Sequence, residues 1–140
     1  MVFGVFDLLH PGHQAFIQQA ASYGFRLIVV VAPDAIVQRF KKRNPCDSQE
    51  TRISNLSRLP EVTEAILGDT VIGAYTAIKK YKPDIICLGY DQSKLGADLS
   101  TKITTNQLPI MRLVYAQPFE PEKYHTSIII EQLRKQCVVK

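Results

Sequence analysis

An α/β fold is the prediction, and three observations make it. Five short apolar runs rich in β-branched residues punctuate the chain, stretches of helical period lie between them, and 140 residues with 46% hydrophobic content suffice for one core. A domain of this size buries about 70% of its unfolded surface, so no staples are needed. The runs are MVF (1–3), RLIVVV (26–31), VTEAI (62–66), DIICL (84–88) and IMRLVY (110–115).

Between them, residues 12–23 carry Ala15, Phe16, Ala20 and Tyr23 at helical spacing and end at Gly24, a residue suited to a left-handed C-terminal cap. Residues 47–59 open with Asp47 and Glu50 at capping-box spacing. Residues 71–81 end in KKYKP, where lysines suit a helix C-terminus and Pro83 prevents continuation. A last helix is expected over residues 125–136. Strand and helix alternating in this way imply right-handed crossovers and a parallel sheet covered on both faces. The expectation is a single-domain Rossmann-like doubly wound parallel sheet of about five strands, order 3-2-1-4-5, spanning residues 1–140. Ligands of such sheets bind beyond the carboxyl ends of the strands where the order reverses. Here that point lies between Gly4, ending the first strand, and GYDQ (89–92), following the fourth.

A formal charge of +4 and a pI near 9.0 invite a nucleic-acid reading, yet the basic density is concentrated in RFKKR (39–43). A single basic loop suits a polyphosphate equally well, and no aromatic platform accompanies it, so no nucleic-acid partner is expected. The longest apolar runs fall far short of the roughly 20 residues that span a bilayer, so neither is a membrane partner. Three cysteines, Cys46, Cys87 and Cys137, make an odd count without a CxxC pair, and no signal peptide precedes them. Reduced thiols in a cytoplasmic protein are the expectation. No low-complexity segment, fixed-period repeat or Pro/Ser-rich linker marks a second domain.

The chemistry is concentrated in GVFDLLHPGH (4–13). Gly4 lets the backbone turn off the first strand, and Pro11 and Gly12 lead into a helix starting near His13. That helix tip is an anion site, and two imidazoles at the same mouth can donate to phosphate oxygens. Phosphoryl-type reactions fit such a site, because positioned donors and Mg²⁺ can carry most of the catalysis without a protein nucleophile. Zinc ligation by His10 and His13 would need further ligands from scattered cysteines or aspartates, roughly a one-in-twenty reading on that count. On spacing alone, a pair that merely caps the helix would be favoured; position after the first strand shifts the balance.

GVFDLLHPGH resembles the HxGH box of the nucleotidyltransferase superfamily that includes glycerol-3-phosphate cytidylyltransferase, phosphopantetheine adenylyltransferase and archaeal-type FAD synthase. The longer pattern GxFDxxHxGH after a first strand is far more restrictive than HxGH. The resemblance covers nearly the whole chain: VAPD (31–34), the basic loop leading to SQETR (48–52), EAILGD (64–69) and KPDIICLGYDQ (82–92) are most similar to archaeal-type FAD synthase. It implies that His10 and His13 contact the nucleotide phosphates and stabilise the transition state. Backbone around Gly4, Val5 and Phe6 would hold the nucleotide, with Asp7 orienting the site. Gly89 and Asp91 would lie beside the nucleoside, Asp91 at a ribose hydroxyl. Lys42 and Arg52 would face phosphates, with Lys41 an equal partner in place of Lys42. For the lysines a solvated loop, and for Asp91 a helix cap, are the readings favoured without the resemblance.

The match weakens in two places. Family members carry a motif of the type ISSTxIR near the last helix, where this chain has YHTSIII (124–130). Thr126 and Ser127 keep hydroxyls that can cap the helix and meet a phosphate, but Ile130 stands where Arg or Lys is expected. A charged donor is worth about 1.5–3 kcal/mol per hydrogen bond, and Arg134 one turn on is the available substitute. Relatives also carry several residues before the glycine, against three here. The implied reaction is nucleotidyl transfer from ATP to FMN, giving FAD and pyrophosphate with Mg²⁺, or from CTP to glycerol 3-phosphate or a related phosphorylated acceptor. A non-catalytic nucleotide-binding protein is the alternative Ile130 favours. Homodimerisation is implied by the resemblance alone.

Overall fold

The computed structural model describes residues 1–123 and 129–131. In chain order the elements are β1 (Val2–Gly4), α1 (Pro11–Ala21), β2 (Ile28–Val31), α2 (Asp34–Lys41), α3 (Gln49–Ser57), β3 (Glu64–Leu67), α4 (Thr76–Tyr81), β4 (Ile85–Leu88), α5 (Ser93–Thr104) and β5 (Arg112–Tyr115). Each strand lies within the predicted run or within two residues of it. All pairings are parallel: β1 with β2, β2 with β3, and β4 with β5.

The strands are short enough that alternate residues divide cleanly between two apolar layers. Val2, Val29, Val31, Cys87 and Ala116 pack with Ile17 of α1 and Leu56 of α3. On the opposite face Met1, Ile28, Val30, Ile86 and Leu88 pack with Ile78 of α4 and Leu99 of α5. Each layer draws residues from both groups of strands, so the groups lie side by side under common helices. Such two-sided burial is what near-continuous β-branched runs require.

A continuous five-stranded ladder in the order 3-2-1-4-5 was expected; the hydrogen bonds form a three-stranded sheet, β1-β2-β3, and a two-stranded sheet, β4-β5. Between β1 and β4 the backbone connects only through Met1, whose amine donates to Ile85 O at 2.9 Å and whose carbonyl accepts from Cys87 N–H at 3.0 Å. Two residues further on, a side chain takes over. Gln92 Nε2 donates to Phe3 O at 2.8 Å while its Oε1 accepts from Gly89 N–H at 2.8 Å. The amide thus stands between the two backbones, satisfying one donor and one acceptor that the gap would otherwise orphan.

Helix boundaries depart from the sequence reading at identifiable residues. Ser48, not Asp47, caps α3, its Oγ accepting from Thr51 N–H at 3.2 Å. The first helix stops at Ala21 with Ser22 as its cap, so Gly24 is no left-handed terminus. RFKKR, read as a loop, supplies the last turn of α2 through Arg39 and Lys41. Residues 71–75 are loop, and α4 begins only at Thr76, whose N–H donates to Asp69 Oδ2 at 2.9 Å. The expected helix over 125–136 lies largely outside the described residues.

Candidate active site

The carboxyl ends of β1 and β4, the tip of α1 and the end of α2 converge on one mouth. After Gly4 the backbone turns sharply, with left-handed conformations at Phe6 (φ 54°) and Leu8 (φ 50°), each costing of order 1–3 kcal/mol outside glycine. Phe6 folds its ring back over Gly4: a Cβ there would stand 2.7 Å from Phe6 Cε2, so any side chain at this position would displace the ring. Beyond it the Phe6 ring meets His13 edge-on at 5.5 Å and stacks on Phe16 at 6.3 Å.

His10 and His13 cap α1 reciprocally. His13 N–H points to His10 Nδ1 at 3.3 Å and His10 N–H to His13 Nδ1 at 3.4 Å, and the two rings stack with centroids 3.6 Å apart. Because each Nδ1 accepts, each neutral ring carries its proton on Nε2. Capping thus occupies Nδ1 of both rings, and donation to a phosphate, posed by the sequence as its alternative, would call on a different nitrogen of each ring.

The neighbouring carboxylate holds the rest of the mouth together. Asp7 is buried, with Oδ2 accepting from Cys46 N–H at 2.8 Å and Oδ1 from Asp47 N–H at 2.9 Å. Its charge ties the loop after α2 to the loop after β1, and these two contacts reach backbone rather than ligand. Asp7 also pushes the exposed Cys46 thiol upward, after desolvation and alongside Asp47.

Arg52 differs from expectation. It is fully buried (0% exposed), with Nη1 donating to Val5 O at 2.9 Å and Ala32 O at 2.7 Å, Nη2 to Asp34 Oδ1 at 2.6 Å and Nε to Asp47 O at 3.1 Å. Rather than facing a phosphate, the fork clamps the ends of β1 and β2 to α2 and α3. Only tertiary placement shows this, because a buried and a phosphate-facing arginine look alike in SQETR.

The basic end of α2 faces the mouth. The Lys41 pKa is lowered by desolvation first and by the Arg43 guanidinium second, with Asp7 and Asp91 pulling the other way. Asp91, exposed on the far side after β4, therefore shares the field of Lys41, although 50 residues separate them. Lys42 takes the left-handed C-cap of α2 and is exposed. Arg43 was not singled out from RFKKR, yet its Nη1 is buried without a hydrogen bond, 3.7 Å from Asp7 Oδ2. A buried guanidinium nitrogen so placed is a ready donor to an anion. Gly89 donates its N–H to Gln92, a second residue the sequence reading passed over although it ends the GYDQ stretch. Thr126 and Ser127 lie outside the described residues. Among the described residues no group of three or more His, Cys, Asp or Glu comes together to cage a metal, and no helix is long and apolar enough to cross a membrane.

Known proteins carry the same pattern. The family model described as cytidylyltransferase-like matches residues 1–132. The FAD synthase of Thermococcus sibiricus is 37% identical over 134 residues, 93% of this chain and 88% of its own. That of Methanosarcina barkeri is 40% identical over 135 residues, 95% of this chain and 94% of its own. Among solved structures, the lipopolysaccharide core biosynthesis protein from Thermoplasma volcanium superposes with a TM-score of 0.77 at 34% identity, covering 86% of this chain and 96% of that one. With the match running from the first strand through the paired histidines almost to the last residue, this chain belongs to the cytidylyltransferase-like family of nucleotidyltransferases.

Proposed function

We propose that the chain is an FMN adenylyltransferase, joining ATP and FMN to give FAD and pyrophosphate. The observation that carries the chemistry is the stacked imidazole pair at the tip of α1, with both Nδ1 atoms committed to the helix so that each neutral ring has its proton on Nε2. The substrates come from the FAD synthase relatives, 37% and 40% identical over nearly the full chain.

In this reading the triphosphate lies across the gap between β1 and β4, the two ladders being halves of the order 3-2-1-4-5 opened at that seam. An FMN phosphate oxygen attacks the α-phosphorus; the new P–O bond forms as the bond to the departing pyrophosphate breaks. His10 and His13 donate from Nε2 to oxygens whose charge grows in the transition state. The α1 tip adds its dipole, and the turn after Gly4, left-handed at Phe6 and Leu8, exposes backbone around Val5 and Phe6 to the nucleotide. Lys41 and Arg43 face the outer phosphates, with Lys42 beside them, and Asp91 receives a ribose hydroxyl near Gly89. The resemblance assigns phosphate contacts to Thr126 and Ser127 as well, which lie outside the described residues. A divalent cation bound with the nucleotide would neutralise triphosphate charge, and since no group of three or more His, Cys, Asp or Glu comes together among the described residues, the phosphates would supply much of its ligation.

His10→Asn separates catalysis from folding, because asparagine serves as a helix N-cap while lacking the Nε2–H. Pyrophosphate release from ATP and FMN should fall by about 10²–10³ in kcat, as for loss of one oxyanion donor, with the urea midpoint little changed. Equal turnover by wild type and variant, or turnover of CTP with glycerol 3-phosphate but not of ATP with FMN, would refute the assignment.

A further inference from the structure

Resting on that reading, we infer a subsite for the planar ring system of the acceptor over the β1-β2-β3 ladder, beside the β1–β4 gap. A pocket of about 230 Å³ opens beyond the ends of β1, β2 and β3. Its floor crosses Gly4, Val31 and Gly68, two inter-strand spacings or roughly 9–10 Å, a span suited to three fused rings. The floor is bare of a side chain at Gly68, where a Cβ would come within 3.1 Å of Val30, while Gly4 lends its backbone, its Cβ direction being filled by the Phe6 ring from the opposite layer.

The walls are apolar in places where solvent-facing loops are ordinarily polar. Phe40 at the end of α2 is 63% exposed, and Val71 and Ile72 in the loop before α4 are 67% and 54% exposed. All three line this one pocket, together with Ile36 and Tyr75. Large apolar side chains held open around a concave site mark a ligand surface. Tyr75 is a fixed wall: its hydroxyl donates to Asp98 Oδ2 at 2.5 Å and its ring meets Phe3 edge-on at 6.3 Å. Gly73 at φ 80° lets the loop carry Val71 and Ile72 over the opening.

Position decides the occupant. Gly4 belongs both to the pocket and to the loop that leads to His10, so a ring seated here would send its phosphate towards the imidazole pair. Lys41 directly follows Phe40 and puts positive charge at the same exit. An isoalloxazine ring with a phosphorylated side chain has this combination of a flat apolar body and an anionic end.

Phe40→Ser and Ile72→Ser test the assignment by flavin fluorescence quenching with FMN and with riboflavin, which lacks the phosphate. Wild type should quench both, and each variant should weaken both by about tenfold, the loss of roughly 1.4 kcal/mol of apolar contact. Affinity for ATP should stay within about twofold, given separate subsites. Phe25→Ser, an exposed phenylalanine at the opposite end of the strands, should change nothing. Unaltered FMN affinity in both pocket variants, equal weakening by Phe25→Ser, or no quenching of either flavin overturns the subsite. If FAD forms while the pocket variants bind FMN normally, the subsite fails and the adenylyltransferase reading stands. If flavins bind through Phe40 and Ile72 but no FAD forms with ATP, the ring subsite stands and the reaction assignment fails.

Discussion

Replacing Arg52 by lysine would keep the charge and lose the fork, and the consequence follows from which groups that fork satisfies. Val5 O, Ala32 O, Asp47 O and Asp34 Oδ1 all accept from it, and one ammonium cannot reach four acceptors on three sides. Arg52→Lys should therefore lower the unfolding free energy by about 3 kcal/mol, the usual cost of breaking a buried charged network, measured by urea titration. A change below about 0.5 kcal/mol would count against the clamp and return Arg52 to the phosphate-facing role that the resemblance implies. His10, His13 and Asp7 were legible as residues because their spacing is local; the partners of Asp7 at Cys46 and Asp47 lie about 40 residues away and were not.

The seam between β1 and β4 is held at its open end by Gln92, an element-level device that strand periodicity cannot reveal because the bridging group is a side chain. Gln92→Glu keeps the acceptor for Gly89 N–H and, when ionised, aims a negative oxygen at Phe3 O instead of a donor. Protonation restores the donor, so the folded state raises the pKa of the new carboxyl above its unfolded value. Its stabilising contribution is present below the unfolded pKa of about 4.3 and lost as pH rises through the folded value. The variant should match wild type near pH 4 and fall behind by about 1–3 kcal/mol at pH 7, as read from paired urea titrations; a pH-independent difference would show that Gln92 fills space rather than bridging. The loop at 71–75 was misread for a related reason. Val71, Ile72 and Tyr75 imitate a helical stripe, but Val71 and Ile72 are exposed where they line a pocket, and Tyr75 lines it while packing against the core layer below.

At the scale of the molecule, two ladders share both apolar layers and are joined by few hydrogen bonds, so the seam is where the sheet opens at least cost. The amide of Cys87, which crosses it to Met1 O, and that of Gly89, held by the bridging Gln92, should exchange hydrogen faster than the β2 amides of Val29, Val30 and Val31, which lie inside a ladder. Nucleotide at about ten times its dissociation constant should slow Cys87 and Gly89 by roughly tenfold, measured by native-state exchange; protection of β2 alone would move the nucleotide away from the seam. What the sequence by itself determined was the strand runs, the parallel class and the histidine box, since each depends on residues within a few positions of one another and on local sterics and burial periodicity. Tertiary structure decided which charges are clamps and which face the mouth, where the sheet splits, and which exposed apolar side chains surround a pocket. Those outcomes depend on groups brought together from distant parts of the chain, and a hydrogen-bond donor reads identically in sequence whether its acceptor is backbone, carboxylate or ligand.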